Sequence, residues 1–161
     1  MEEIILEDKQ AMIFLNNLGS STFDPFWILV SEKWFWIPLY IIFLYFLYKN
    51  FNKKSLFYIL LFVALGITAS DQIANIFKFG FERLRPCHDP SLEGLLREVK
   101  CGGKFGFYSA HSSNSFFVAT YLTIFLGKKI KQLPYFLFVW AAIVAYSRVY
   151  LGMHFPGDII I

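Results

Sequence analysis

The sequence has few charged residues for its length. Asp, Glu, Lys and Arg make up only 17% of the 161 residues, whereas hydrophobic residues make up 57%, and the mean hydropathy is +0.50. A water-soluble domain of this size cannot hide so much apolar side chain in one core. The composition therefore excludes an ordinary soluble domain and indicates an integral membrane protein.

Other features that the sequence lacks argue against some classes of function. The chain lacks a glycine-rich phosphate loop of the nucleotide-binding type, a Pro/Ser-rich linker, a low-complexity tract and a repeat of fixed period. Without the phosphate loop, ATP is not implied. The net charge is only +3 and the lysines cluster at predicted helix ends, which argues against nucleic acid as a partner. We predict one membrane-embedded domain over residues 1–161.

Apolar runs bounded by polar residues predict an all-α helical bundle. In residues 1–22, apolar residues mix with charged ones at roughly helical spacing, which is typical of an amphipathic helix lying in the membrane interface. Runs near the length needed to cross a bilayer are Phe26–Tyr48, Ser55–Phe77, Ser113–Leu126 and Leu133–Tyr146. Ser31, Glu32 and Lys33 interrupt the first run and predict a bend there.

The remaining segments complete the predicted bundle. Residues 78–108 are polar and are expected to form a loop at the outer face. A further span begins at Asp158 and stops at Ile161, so we expect five to six helices, the last of them truncated. The short basic segments 49–54 and 128–131 lie on one side of these spans, and the positive-inside rule makes that side cytoplasmic.

Three polar clusters fall at the opposite, outer face. Lys78, Arg85 and Arg148 place three cations in one partly dehydrated region, where their repulsion is costly unless a highly charged anion lies between them. Phosphate fits this role, because arginine donors match its oxygens and lysine adds a point charge. Ser109 and the backbone N–H groups at a helix start, including that of Ala110, can complete such a site.

Two histidines accompany these cations. His111 and His154 allow nucleophilic and acid–base chemistry near neutral pH. Asp158 follows His154 by four residues, and a carboxylate bound to one ring nitrogen fixes the tautomer and increases the nucleophilicity of the other nitrogen. The residues thus favour phosphoryl chemistry at a membrane face.

The order and spacing of these residues resemble the three-part signature of the type 2 phosphatidic acid phosphatase (PAP2) superfamily. The matching segments are Lys78-x6-Arg85-Pro86, Ser109-Ala110-His111 and Ser147-Arg148-x5-His154-x3-Asp158. The superfamily also contains soluble vanadium haloperoxidases, but this composition agrees with the membrane branch. The sequence departs from the family at the second motif, where glycine is usual and Ala110 stands here.

The resemblance implies a role for each matched residue. His154 is expected to attack phosphorus and become a phosphohistidine, with Asp158 orienting it. His111 is expected to protonate the leaving oxygen and then to activate water. Lys78, Arg85, Ser109, Ala110 and Arg148 are expected to hold the phosphoryl oxygens, so that neither a metal nor another cofactor is needed.

Several alternatives stay open. Lone basic residues at a helix end commonly snorkel to the interface, and a non-catalytic transporter or flippase of anionic lipids could also collect cations there. Cys87 and Cys101 bracket the outer loop and are expected to form a disulfide in an oxidising compartment. A metal site using both cysteines and His88 is the weaker hypothesis, because it lacks a fourth ligand.

We therefore expect a metal-independent lipid phosphate or diphosphate phosphatase in a bacterial inner membrane, with its site facing the periplasm. The partners are a membrane lipid phosphate and the bilayer, and the sequence gives no indication of the oligomeric state. Overall resemblance ranks undecaprenyl diphosphate first as the substrate. Lipid A, phosphatidylglycerophosphate and phosphatidic acid are the alternatives.

Overall fold

The computed structural model describes residues 2–160, which form seven α-helices, three short 3₁₀-helices and, within that range, no β-strand. The α-helices are α1 (Glu2–Asn17), α2 (Asp24–Ser31), α3 (Ile37–Asn50), α4 (Lys53–Phe81), α5 (Ala110–Leu126), α6 (Leu133–Tyr150) and α7 (Pro156–Ile160). The 3₁₀-helices are Lys33–Trp36, Pro86–His88 and Pro90–Leu92. The predicted all-α class is confirmed.

The first predicted span is broken where the sequence is interrupted. Helix α2 ends at Ser31, and the helical segment 33–50 that follows makes an angle of 74° with it. Glu32 at the break has an extended backbone, and Pro38 occupies the first turn of α3, where its missing N–H costs no hydrogen bond. The predicted bend is therefore present, and it raises the number of helices above the expected five to six.

Helices α5 and α6 form the centre of the bundle: α5 packs against α4 and α6, and α6 also packs against α1 and α2. Its buried residues, including Leu122 and Leu126, meet Leu137 and Trp140 of α6 in one apolar cluster. Helix α3 contributes Phe43 to the same cluster. This packing aligns the outer ends of α4, α5 and α6, which carry the residues of the candidate site.

The exposed side surface of the bundle is apolar. Helix α4 exposes Phe57, Phe62 and Ile76 at 57–69% of their full surface, which is unfavourable in water and suits contact with lipid. By length and composition, α4 and α6 can each cross a membrane, and the bent segment 24–50 adds a third span if its two parts are counted together. Helix α5 has 17 residues, slightly fewer than the ~20 of a typical span.

The two basic segments lie on the same side of the bundle. The ammonium group of Lys129 lies 3.4 Å from the carbonyl oxygen of Asn50 and over the ring of Phe51. The turn between α3 and α4 thus contacts the turn between α5 and α6. The sequence-based prediction that both segments share one face agrees with this contact.

Helix α1 exposes several large apolar side chains and contacts the protein through buried Met12 and Asn16. Ile4, Leu6 and Phe14 are 57–70% exposed, whereas Asn16 is fully buried. The Asn16 amide donates to carbonyl groups of Arg97 and Tyr150 and accepts from the Arg97 N–H. Met12 packs with Leu92, Val149 and Phe155, so both polar and apolar contacts attach α1 to the protein, and its position in the membrane interface stays a prediction.

Some predicted boundaries differ from the structure. Helix α4 continues to Phe81, so Lys78 belongs to its last turn and the outer loop begins at Glu82 rather than at residue 78. The continuous i→i−4 hydrogen bonding of α4 outweighs the drop in hydropathy there. Met1 and Ile161, the last residue of the expected truncated helix, lie outside the described residues. The assignment of residues 1–161 to one domain stays a prediction.

We expect Asn16→Ala to lower the free energy of unfolding by about 2 kcal/mol, because several buried backbone groups lose their hydrogen-bond partner. The neighbouring Asn17 is exposed and bonds only the Leu95 carbonyl, so Asn17→Ala should cost about 0.5 kcal/mol or less. Reversible unfolding of both variants in detergent measures the difference. Equal losses would contradict the anchoring role of Asn16.

Candidate active site

A cavity of about 540 Å³ opens at the outer ends of the central helices. Lys78 reaches it from the last turn of α4, His111 from the first turn of α5, and Arg148 from the last turn of α6. Arg85 and His154 line it from the segments that follow α4 and α6. Five predicted site residues, separated by up to 76 positions in sequence, thus share one cavity.

Arg148 is a buried cation with spare hydrogen-bonding capacity. Its residue surface is 5% exposed, and one terminal nitrogen donates to the hydroxyl of Ser31. Its Nε is buried and has no hydrogen-bond partner among the described residues. An unpaired buried donor is costly, so an anion in the cavity would satisfy it.

Arg85 is held by the backbone and reaches the His154 ring. An isolated antiparallel bridge joins Leu84 to Phe105, and the Arg85 guanidinium donates to the carbonyls of Phe105 and Met153, both at 3.2 Å. Its Nη1 lies 3.0 Å from His154 Nε2. Because arginine can only donate, Nε2 must be the acceptor, so it carries a lone pair.

His154 Nδ1 faces the other way, toward Asp158. The distance from Nδ1 to Asp158 Oδ2 is 3.5 Å, and both residues are almost completely buried. The carboxylate also accepts a hydrogen bond from the Phe155 N–H and another from Arg83 Nη1. With Nε2 acting as an acceptor, the ring proton lies on Nδ1, which is the tautomer needed for nucleophilic attack through Nε2.

Burial controls the charge state of this histidine. Removal from water lowers the pKa of His154 from its ordinary 6.5 to about 4, an effect that the Asp158 carboxylate opposes and nearby Arg85 and Arg148 reinforce. Burial also lowers the pKa of the Arg85 guanidinium, against the influence of Asp158. At neutral pH the site therefore combines an uncharged imidazole with cations.

The Ser109 hydroxyl was expected to contact phosphate, but it does not line the cavity. The residue is fully buried, with its hydroxyl capping α5 through the Ser112 N–H. Its own N–H donates to the Asp158 carbonyl. A serine before a helix commonly takes this cap. Ala110 lines the cavity instead, and the first amides of α5 are those a helix leaves without internal partners.

Cys87 and Cys101 form a disulfide, with Cα atoms 5.9 Å apart, that closes the loop beside Arg85. His88 packs next to it, with Nε2 3.1 Å from the Gly102 carbonyl oxygen and 3.5 Å from Cys101 Sγ. These three residues are close enough to suggest a metal site. Bonded cysteines offer no thiolate ligands, however, so the structure favours the disulfide over the metal hypothesis.

A polar layer borders the cavity deeper in the bundle. The Asn114 amide donates to Asp71 Oδ1 at 2.8 Å, joining α5 to α4. Gln72 and Asn75 also line the cavity, and their side chains are exposed rather than packed between helices. The stripe formed by Asp71, Asn75 and Lys78 therefore faces the cavity along its whole length.

The sequence analysis missed two residues that contact Asp158 or its partners. Arg83 binds the carboxylate, and Asp8 of α1 binds Arg83. A signal for Arg83 was present, since it stands two residues before Arg85 in an extended segment, where alternate side chains share a side. Nothing in the N-terminal sequence pointed to Asp8, which is 150 positions away from Asp158.

Comparison with known proteins gives consistent matches. Residues 56–161 match the family model of the PAP2 superfamily. A lipid A 4'-phosphatase from Bacteroides thetaiotaomicron is 37% identical over 157 residues, or 95% of this chain and 69% of the relative. A protein of the same name from Porphyromonas gingivalis is 36% identical over 166 residues, or 99% of this chain and 68% of the relative.

More distant matches agree with these. A phosphatidylglycerophosphatase B from Bacillus subtilis is 32% identical over 161 residues, or 94% of this chain and 66% of the relative. The crystal structure of a transmembrane PAP2-type phosphatidylglycerolphosphate phosphatase from Bacillus subtilis superposes with a TM-score of 0.72. That superposition covers 99% of this chain and 79% of the other at 22% identity, which supports the fold.

The His154 ring should stay neutral down to about pH 4. Because the unfolded chain binds this proton near pH 6.5 and the folded chain only near pH 4, the contribution of His154 to stability is complete above pH 6.5. It is lost as the pH falls through that window. NMR of ring-labelled histidines in detergent measures the titration, and His154→Ala assigns the signal. A midpoint near 6.5 would contradict the burial effect.

Proposed function

The chain belongs to the PAP2 superfamily, and from this premise we propose that it is a membrane lipid phosphatase acting on the phosphate of lipid A or a similar hydroxylated headgroup. The observation that carries the proposal is the shared cavity, where a neutral histidine whose Nε2 carries the lone pair lies among three cations. A transporter would use the cations, but it would not need a histidine–carboxylate pair behind them.

The proposed reaction has two steps. His154 Nε2 attacks phosphorus, the bond from phosphorus to the lipid oxygen breaks, and His111, which must enter this step as the imidazolium, gives a proton to that oxygen. His111 then takes a proton from water, whose oxygen attacks the phosphohistidine and releases inorganic phosphate while His154 recovers its lone pair. This sequence conserves protons and needs no redox partner.

The cations stabilise the charge that spreads over the phosphoryl oxygens. Arg85 donates to His154 Nε2 in the empty cavity, so the substrate oxygens must take over this donor before the nitrogen can attack. Lys78, Arg148 and the first amides of α5 complete the set of donors. In this proposal Ser109 acts through the helix start rather than through its hydroxyl.

The substrate assignment differs from the ranking made on sequence. Undecaprenyl diphosphate was ranked first, but the relatives described above are named for lipid A and phosphatidylglycerophosphate, which favours the alternatives. The polar layer of Asp71, Gln72, Asn75 and Asn114 supports this change, because amide and carboxylate groups can bind sugar or glycerol hydroxyls. A polyprenyl chain has no such groups to offer.

We further propose that the protein lies in a bacterial inner membrane with the cavity at the periplasmic face. Lys49, Lys53, Lys54 and the lysines of segment 128–131 lie at the opposite end of the bundle from the cavity, as the positive-inside rule requires for a cytoplasmic end. The exposed apolar faces of α1 and α4 support a position of the cavity mouth at the level of the lipid headgroups.

His154→Ala should lower kcat by about 10³-fold or more, since loss of a nucleophile removes the covalent route. His88→Ala is the matched control, because that histidine lies outside the cavity beside the disulfide, and it should keep at least half of the activity. Release of inorganic phosphate from a short-chain lipid phosphate measures both. Parent-like hydrolysis by His154→Ala would refute this nucleophile.

A substrate panel tests the headgroup. We expect kcat/KM to be highest for lipid A, lower for phosphatidylglycerophosphate and phosphatidic acid, and lowest for undecaprenyl diphosphate. Asn75→Leu should reduce kcat/KM for lipid A about 10-fold, as expected for a lost hydrogen bond to substrate, and leave undecaprenyl diphosphate unchanged. Thr68→Val on the exposed side of α4 serves as the control. The reverse order of substrates would overturn the assignment.

A further inference from the structure

Arg83 lies beside the catalytic pair without lining the cavity. Its Nη1 donates to Asp158 Oδ1 at 2.8 Å, while the other carboxylate oxygen, Oδ2, faces the His154 ring. The guanidinium also stacks on the Phe155 ring, 4.3 Å from its centroid. Arg83 thus fixes the side of the carboxylate that does not face the histidine.

Asp8 of helix α1 binds two groups that are next to Asp158. Its Oδ2 accepts a hydrogen bond from Arg83 Nη2 at 2.5 Å, and its Oδ1 accepts one from the Gly157 N–H at 2.7 Å. A Cβ atom at position 157 would lie only 2.7 Å from Asp8 Oδ2, so glycine permits this close approach. Asp8 therefore holds both the arginine and the backbone residue next to Asp158.

These contacts are largely shielded from solvent. The side chains of Asp8 and Arg83 are 12% and 26% exposed, and that of Asp158 is completely buried. Charge-assisted hydrogen bonds in such surroundings are strong and directional. One guanidinium shared between two carboxylates also leaves little freedom for any of the three groups to rotate.

Helix α1 lies outside residues 56–161, the part of the chain that matches the family model. The contact from Asp8 is therefore an addition to the shared motif and comes from a helix whose outward face is apolar. Other polar contacts of α1, such as those from Lys9 to Asp89 and Ser91, reach the outer loop but not Asp158.

We infer that Asp8 and Arg83 are positioning residues that set the orientation of Asp158 and, through it, the direction of the His154 ring. The inference rests on the proposed function for its catalytic meaning. Helix α1, which lies outside the segment that matches the family model, thereby helps to orient the nucleophile.

The full-length chain in detergent tests this with Asp8→Asn and Arg83→Gln. Asp8→Asn keeps an acceptor for Gly157 but removes the charge that holds Arg83. Each variant should lower kcat by about 10-fold or more and leave KM and inhibition by vanadate within about twofold, because the phosphate-binding groups are untouched. Lys9→Gln, which loosens α1 without contacting Asp158, should retain the parent kcat.

A double-variant comparison separates positioning from general stability. If Asp8 acts through Asp158, adding Asp8→Asn to Asp158→Asn should change kcat by no more than about twofold, since coupled residues are not additive. A full additional 10-fold loss, or an equal loss in Lys9→Gln, would overturn the inference.

NMR of the His154 ring provides a readout that needs no turnover. The parent should show the Nδ1–H tautomer, and Asp8→Asn and Arg83→Gln should each change the chemical shift of the Nδ1–H proton, because the Asp158 carboxylate that faces it moves. If the parent releases no phosphate from any lipid phosphate, the proposed function fails, and this chemical shift alone decides the inference. An unchanged Nδ1–H signal in both variants would refute it.

Discussion

The hydrogen bonds to the buried carboxylate of Asp158 are the interactions on which the site depends. A charge so deep in the protein is tolerated only when donors surround it, and here they come from separate parts of the chain. Arg83 and the Phe155 N–H bind its side chain, and the Ser109 N–H binds its carbonyl. Satisfying Asp158 therefore brings the three motif segments together, with His154 beside them.

The rest of the fold can be understood as a scaffold for this charge cluster in an apolar setting. Helices α4, α5 and α6 expose hydrophobic side chains outward and bring their polar ends to one face. Lys78 and Arg148 would repel each other in such surroundings without an anion. Under the proposed function, the phosphate of a lipid substrate would offset this repulsion in the cavity while the lipid tail stays in the bilayer.

Sequence reasoning was most successful where the signal was local. Hydropathy located the long helices, the polar interruption at residues 31–33 located the bend, and motif spacing selected the residues that line the cavity. It was less successful at boundaries, because the hydrogen bonding of α4 carries the helix past Lys78. It did not reveal that the Ser109 hydroxyl caps α5, since a motif names a residue but not the direction of its hydroxyl.

The sequence by itself determined the membrane class, the helical architecture and the family, because composition and motif spacing carry that information directly. The tertiary structure decided which ring nitrogen of His154 carries the lone pair, which group the Ser109 hydroxyl binds, and that Asp8 contacts Arg83. These facts depend on side chains brought together from positions up to 150 residues apart. Packing and the hydrogen bonds that buried groups require determine these contacts, and no local sequence pattern encodes them.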